Sequence, residues 1–302
     1  MPKPELRSHI ALILAMMLWG SSFVALKVAL EELAPMVVIF LRMVIGALGF
    51  LAIWPWIRTG FRYQSGDWKY LLSMSLFEPC LYFVFEANGL RFTSAGQAGM
   101  ITAMLPLMVA AAAWFVLDER NSLRQWFGFV IAVTGVIAMS LAGEPNLQAP
   151  RPLLGNALQL AAMICAVGYT LMVKKLILRY SAIVLTALQC FIGVLFFLPL
   201  AAMSEWPQQM SWQTAWIIVY LGLVITLGTY GLYNYSLGHL KASVAAGYTN
   251  LLPVFALLFS MVLLGERLTT AQWLAIGVIF SGVLVSQYHS KPVITRIPPV
   301  TG

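Results

Sequence analysis

Two stretches decide the fold: "MLPLMVAAAAWFVLDERNSLRQWFGFVIAVTG" (Met104–Gly135) and "LLPVFALLFSMVLLGERLTTAQWLAIGVIFSG" (Leu251–Gly282). Laid over one another at an offset of 147 residues, with no gap, they pair Pro106 with Pro253, Glu119 with Glu266 and Arg120 with Arg267. The same offset pairs Gln125 with Gln272, Trp126 with Trp273 and Gly135 with Gly282. Each stretch is an apolar run, a short charged break and a second apolar run. Self-similarity at one long offset means that the chain contains the same unit twice. Further upstream an offset of 148 pairs Gly20 with Gly168 and Lys27 with Lys175, a weaker echo.

Composition sets the solvent of these units. Of 302 residues, 61% are hydrophobic and 10% charged, against about 25% charged in soluble domains. The apolar residues fall in runs of about 20, the length a helix needs to cross the hydrocarbon of a bilayer. Ten spans result, at 9–30, 35–56, 68–90, 95–117, 123–142, 155–178, 181–203, 212–237, 242–264 and 269–288. The polar segment "GEPNLQAPRPLLG" (Gly143–Gly155) divides them five and five. The reading is an all-α membrane protein with a five-helix repeat in 1–143, a linker in 144–154, a second repeat in 155–290 and a tail in 291–302. The first span has basic residues before it, but no small-residue cleavage site follows, so it reads as a retained helix rather than a signal peptide.

The basic residues predict orientation. With the amino terminus in the cytoplasm, inner segments carry Lys3, Arg7, Arg58, Arg62, Lys69, Arg120, Arg124, Lys174, Lys175, Arg179, Lys241, Lys291 and Arg296. The outer segments carry only Lys27, Arg91, Arg151 and Arg267. That asymmetry places both termini inside. The net charge of +7 is then an orientation signal and points to no nucleic-acid partner. Five spans per repeat is an odd number, so the second repeat must be inserted upside down. Inverted repeats are a recurring plan of secondary transporters, with the substrate site near the midplane where the halves meet.

"MLWGSSFVALKVAL" in the first span, the segment "SAGQAGMITAMLPLMVAAAAWFVLDER" with "GFVIAVTGVIAM", and their second copy "SVAAGYTNLLPVFALLFSMVLLGERLTTAQWLAIGVIFSGVLV" resemble the ten-helix EamA-type branch of the drug/metabolite transporter superfamily. The resemblance implies two inverted five-helix repeats around a central cavity. It also implies carriage of small metabolites or drugs, often outward, across a bacterial inner membrane. It leaves the substrate open.

The chemistry-bearing residues of the spans are few. Trp19, Phe23, Tyr82, Tyr169, Tyr230, Tyr233, Asn234, Tyr248 and Asn250 suit a cavity with an apolar wall and a few polar handles. Ser22 stands beside Gly20 and Ser21 in a run of small residues suited to close helix packing. Pro106 and Pro253, placed within spans, are expected to free the carbonyls of Thr102 and Thr249. In "SLFEPCLYFVFEANG" (Ser75–Gly89), Glu78, Tyr82 and Glu86 are spaced to share one helix face, and Pro79 breaks the helix beside Glu78. A mid-helix carboxylate in lipid costs about 2.5–3.5 kcal/mol on insertion scales and so faces a partner or a water-filled space. Depth along the spans matches Arg42 to Glu86 as a structural ion pair. Glu78 is left near the midplane as a proton-coupling candidate, a counter-charge for a cation, or a protonated, inert acid.

The functional expectation is a secondary transporter of small organic metabolites, an exporter of amino acids or related amphipathic compounds working by alternating access. The alternative is a carrier of organic cations such as choline or quaternary ammonium drugs. A non-transport structural membrane protein is the third reading. Substrate contacts are expected from Trp19, Ser22, Phe23, Glu78, Tyr82, Thr102, Tyr169, Tyr230, Asn234, Tyr248 and Thr249. The expected partners are a small-molecule substrate, the lipid bilayer and a coupled proton, in a monomer or homodimer. No H-E-x-x-H, G-x-S-x-G or G-x-x-x-x-G-K-[ST] occurs, so neither a hydrolase nor an ATP-driven pump is indicated. Cys80, Cys165 and Cys190 have no ligand spacing, and nothing calls for a cofactor or metal.

Overall fold

The computed structural model describes residues 4–57, 63–117, 122–237, 239–240 and 248–287. Glu119, Arg120, the start of the ninth expected span at 242–247 and the tail at 291–302 lie outside the described residues, as does the side chain of Asn234. Among the described residues there is helix and turn and no strand. The helices are α1 Pro4–Glu32, α2 Pro35–Ile57, α3 Trp68–Ser75, α4 Tyr82–Phe92, α5 Ala95–Ile101, α6 Leu105–Leu117 and α7 Leu123–Leu141. They continue with α8 Pro152–Leu176, α9 Ala182–Ala202, α10 Trp212–Val219, α11 Tyr230–Leu237, α12 Leu251–Leu263 and α13 Thr270–Gln287. A π-helical segment, Leu76–Leu81, joins α3 to α4, and another, Tyr220–Thr229, joins α10 to α11. A single 3-10 turn, Thr102–Met104, joins α5 to α6.

Local sequence explains most of the boundaries. Proline opens α2 and α8, where its missing N–H is no loss. Ser94 and Ser211 cap α5 and α10 by accepting the N–H of Gln97 and Thr214 at 3.2 and 3.1 Å. Ser122 and Gln125 form a reciprocal capping box at α7. Thr269 and Gln272, both displaced by 147 residues, form the same box ahead of α13.

Among the described residues seven helical stretches are long and apolar enough to cross a membrane: Glu5–Glu32, Pro35–Trp56, Ala95–Val116, Leu123–Leu141, Pro152–Leu176, Ala182–Ala202 and Trp212–Tyr233. Leu251–Leu263 and Thr270–Ser286 are apolar but shorter. The third expected span is present as α3, π segment and α4 in succession, interrupted at Glu78 (φ −143°, ψ 119°).

The two prolines of the repeat act differently from the expectation. Pro106 is the second residue of α6 and Pro253 the third of α12, first-turn positions where no N–H is required. The carbonyls of Thr102 and Thr249 are not left open. They accept the N–H of Leu105 and of Leu252, three residues on. The tight turn absorbs the proline, so neither threonine presents a freed carbonyl to a cavity.

Helices pair mainly as α7 with α13, α4 with α8, α2 with α9, and α1 with α12. Large apolar side chains such as Phe115, Leu123, Val262 and Leu284 stay exposed on the outside. Lipid tails are as apolar as leucine, so close fit rather than hydrophobic burial holds such helices together. Small residues supply that fit. Gly20 and Gly99 both abut Ala256 of α12, which bears out a packing role for these two glycines. At the α7–α13 crossing, a methyl added to Gly282 would lie 2.5 Å from the Ala132 nitrogen and 2.6 Å from the Gly128 oxygen. Backbone atoms cannot yield as a flexible side chain can. Gly282→Ala should therefore force the two helices apart and destabilise the protein by about 1–3 kcal/mol. Gly277→Ala, on the same helix with nothing within 4 Å, should leave thermal stability in detergent unchanged. Equal melting temperatures for the two variants would refute the crossing.

Candidate functional site

The interrupted third span positions the acidic centre. At Glu78 the backbone leaves the helical ladder, and its carbonyl accepts a hydrogen bond from Gln189 Nε2 of α9 at 2.6 Å. The side chain is half-buried. Electrostatic interactions join Glu78 to Arg42, Glu86, Cys165, Tyr82, Tyr169 and Tyr230. Tyr169 also meets Tyr230 and Gln189 through their polar ends. Trp19 packs edge-on to Tyr230, with centroids 5.6 Å apart, and lies 5.7 Å from the Tyr233 ring. Of the residues expected to contact substrate, Glu78, Tyr82, Tyr169, Tyr230 and Trp19 are thus brought into one neighbourhood.

The others fall elsewhere or are spoken for. Phe23 is 4% exposed and belongs to the apolar core, so it lines no open space. Ser22 is half-buried and returns its hydroxyl to the Trp19 carbonyl at 2.7 Å. Thr102 does the same with Gly99 at 2.6 Å. Tyr248 hydrogen-bonds to His9 Nδ1 at 2.8 Å, tying the start of α1 to the turn before α12. Thr249 lies in that turn.

Arg42 and Glu86 do not close the expected ion pair. Glu86 accepts the Tyr82 hydroxyl at 2.7 Å, one turn back on the same helix. Arg42 lies over the Phe83 ring, 4.5 Å from its centroid, with Nε 3.4 Å from Thr226 Oγ1. Its charge still reaches both glutamates. Depth along a helix fixed their level but not their bearing around the axis, and the break at Glu78 upset the helical spacing.

The bracing of the two π segments is a feature that sequence reading missed. Gln189 holds Leu76–Leu81 through the Glu78 carbonyl. Arg42 contacts Tyr220–Thr229 through Thr226. Residues 42 and 189 differ by 147, the offset of the repeat. A methyl at Gly46 would meet Cys190 and Thr226, and one at Gly193 would meet Met43 and Pro79, all related by the same offset. The second helix of each expected half therefore reaches the π segment in the third helix of the other. An arginine paired with a glutamine gave no letter-for-letter match, and only the offset could have found it.

Charges also fasten one end of the bundle. Lys27, 9% exposed, donates to the carbonyls of Leu90, of Thr93 (2.7 Å) and of Gln148 (2.6 Å). Glu266 accepts the N–H of Ala95 at 2.7 Å and of Gly96 at 2.9 Å, at the positive end of α5. Thr93, Gln97, Ser140 and Asn156 form a buried network beside them. A recess of about 160 Å³ lies here, lined by Ser94, Gln97, Glu144, Gln148, Glu266 and Gln272. At the opposite end Asp67 holds Arg179 at 2.5 Å and the Tyr180 hydroxyl at 3.0 Å.

Helical throughout the described residues, with apolar helices long enough to cross a membrane, the chain is an integral membrane protein. The EamA-like transporter family profile matches it twice, over residues 6–141 and 153–288, and the chain belongs to that family. It is 27% identical over 297 residues to the uncharacterized transporter YetK of Bacillus subtilis (strain 168), covering 96% of this chain and 89% of that one. It is 26% identical to protein PagO of Salmonella typhimurium, covering 97% and 94%. A crystal structure with 20% identity shares the fold, with a TM-score of 0.62 over 95% of this chain and 99% of the other.

The offset of 148 pairs Lys27 with Lys175, yet only Lys27 is buried; Lys175 is exposed over the Tyr70 ring. Lys27→Met should strip three carbonyls of their donor and cost about 1–3 kcal/mol of stability. Lys175→Met should shift the melting temperature little. A harmless Lys27→Met would refute the fastening.

Proposed function

We propose that the protein is a secondary transporter of small organic metabolites, an exporter of amino acids or related amphipathic compounds, whose site surrounds Glu78. The observation that carries this reading is a half-buried carboxylate among Trp19, Tyr82, Tyr169 and Tyr230, reached among the described residues by no lysine and by an arginine already engaged elsewhere. A phosphate or polyanion would need several buried cations there. An aromatic wall with one acid suits a compound that has an apolar part and an amino group.

The proposed architecture is ten membrane helices in two inverted five-helix repeats, at 1–143 and 155–290, around a central cavity. The twice-matched family profile supports it. So do the capping boxes, the glycine crossing and the braces that recur at the offset of 147. The helix pairing supports it too, for α7 with α13 and α2 with α9 map onto themselves when the halves are exchanged. Alternating access then comes from the halves rocking about the α2–α9 contact. Both termini lie in the cytoplasm, the membrane is a bacterial inner membrane, and Glu78 exchanges a proton during the cycle.

The unpartnered acid and its rings also favour a second reading, an organic-cation carrier for choline or quaternary ammonium compounds, through cation–π attraction. Both readings make Glu78 the first residue to test. A thermal-shift screen of amino acids, amines and quaternary ammonium compounds should find a class that stabilises the purified protein. Glu78→Gln should abolish that stabilisation and lower flux of the same compound into proteoliposomes at least about tenfold. Flux unaltered in Glu78→Gln would overturn the site.

A further inference from the structure

Gln189 is 5% exposed. Its Nε2 is committed to the Glu78 carbonyl at 2.6 Å. A carbonyl oxygen can only accept, so the amide cannot be turned over, and Oε1 is fixed on the other side. That oxygen has no hydrogen-bond partner. Among the described residues the Glu78 carboxylate likewise accepts no hydrogen bond from the chain. Tyr169, which meets Gln189 and lies within electrostatic reach of Glu78, places the two beside the same aromatic wall. Among the described residues neither acceptor is bonded to a donor of the chain, although the Tyr169 hydroxyl stands near Gln189. A buried acceptor without a donor is uncommon in folded proteins and can be completed by a water or a ligand.

We propose that Gln189 is a substrate-recognition residue, and that its free carbonyl and the Glu78 carboxylate together select an ammonium group that bears N–H bonds. A primary ammonium can give one N–H to each oxygen and turn its carbon chain to the rings. A quaternary ammonium has the charge but only C–H bonds to offer. It leaves the Gln189 oxygen unpaired, and the site rejects it on that ground. The proposal rests on the transporter reading with Glu78 at its site, and it separates the two substrate classes that reading left together. Arg42, the brace at the matching position of the first half, ends in a donor. The two braces therefore differ in chemistry, and the acceptor locus belongs to one half.

The test uses 2-phenylethylamine and its N,N,N-trimethyl derivative as paired probes, which share ring and charge and differ in N–H. Binding is read by thermal shift and by isothermal titration on the full-length purified protein. The wild type should bind the primary amine about tenfold to a hundredfold more tightly than the quaternary compound. In Gln189→Leu that preference should fall to near unity through loss of amine affinity, while binding of the quaternary probe persists and shows the protein to be folded. Gln189→Met carries the same test if the leucine variant does not fold. A wild type that binds both probes equally, or a variant that keeps the preference, overturns the proposal while sparing the transporter reading. Failure of the reading itself looks different. Neither probe, nor any member of the amine panel, would then bind wild type, and the proposal would fall with it.

Discussion

Inside a bilayer a backbone carbonyl that leaves the helical ladder has no water to turn to and must find its partner within the protein. The protein breaks one helix in its interior, at Glu78 within Leu76–Leu81, and widens another to a π-helix over Tyr220–Thr229. Gln189 satisfies the Glu78 carbonyl at the break. In the π-helix Thr226 bonds to the Leu221 carbonyl at 2.9 Å, with Arg42 alongside. Without Gln189 the break would carry an unpaired carbonyl. With these contacts the chain can place a carboxylate and several tyrosines off the regular helical faces, where a straight helix could not direct them.

That arrangement ties site and scaffold together. The braces come from α2 and α9, which pack against each other, and each reaches a π segment within the other of the two family matches. A shift of α9 against α3 and α4 must alter the contacts around Glu78. The ends of the bundle are closed by different chemistry. Lys27 and Glu266 hold helix termini through backbone groups at one end, and Asp67 holds Arg179 and Tyr180 at the other. Both sets are polar contacts that can be exchanged for water once exposed.

How much of this was legible in the sequence depends on whether a contact needs particular letters. The capping boxes at Ser122–Gln125 and Thr269–Gln272, and the glycines at 135 and 282, tolerate few alternatives, so the repeat could be read directly. The membrane-crossing apolar runs and most of their limits were equally plain. Arg42 and Glu86 were mispaired because distance along a helix says nothing of direction around it. Pro253 reads as an interior break because the apolar run extends beyond the described helix, which starts at Leu251. Lys27 reads as a loop charge, although the linker and the end of α4 fold over it. Gln189 reads as one amide in an apolar run, since its importance comes from a carbonyl that a distant break exposes.

The most direct measurement concerns access to the centre from both sides of the membrane. With Cys80, Cys165 and Cys190 replaced by alanine, Ser22→Cys puts a single thiol on the half-buried face of α1 beside Trp19. A membrane-impermeant maleimide is then applied to right-side-out and to inside-out vesicles. A carrier that opens its Glu78 centre alternately should be labelled from each side, with a transported solute slowing labelling from both. Labelling from one side alone under every condition, or from neither, would contradict a central site with alternating access.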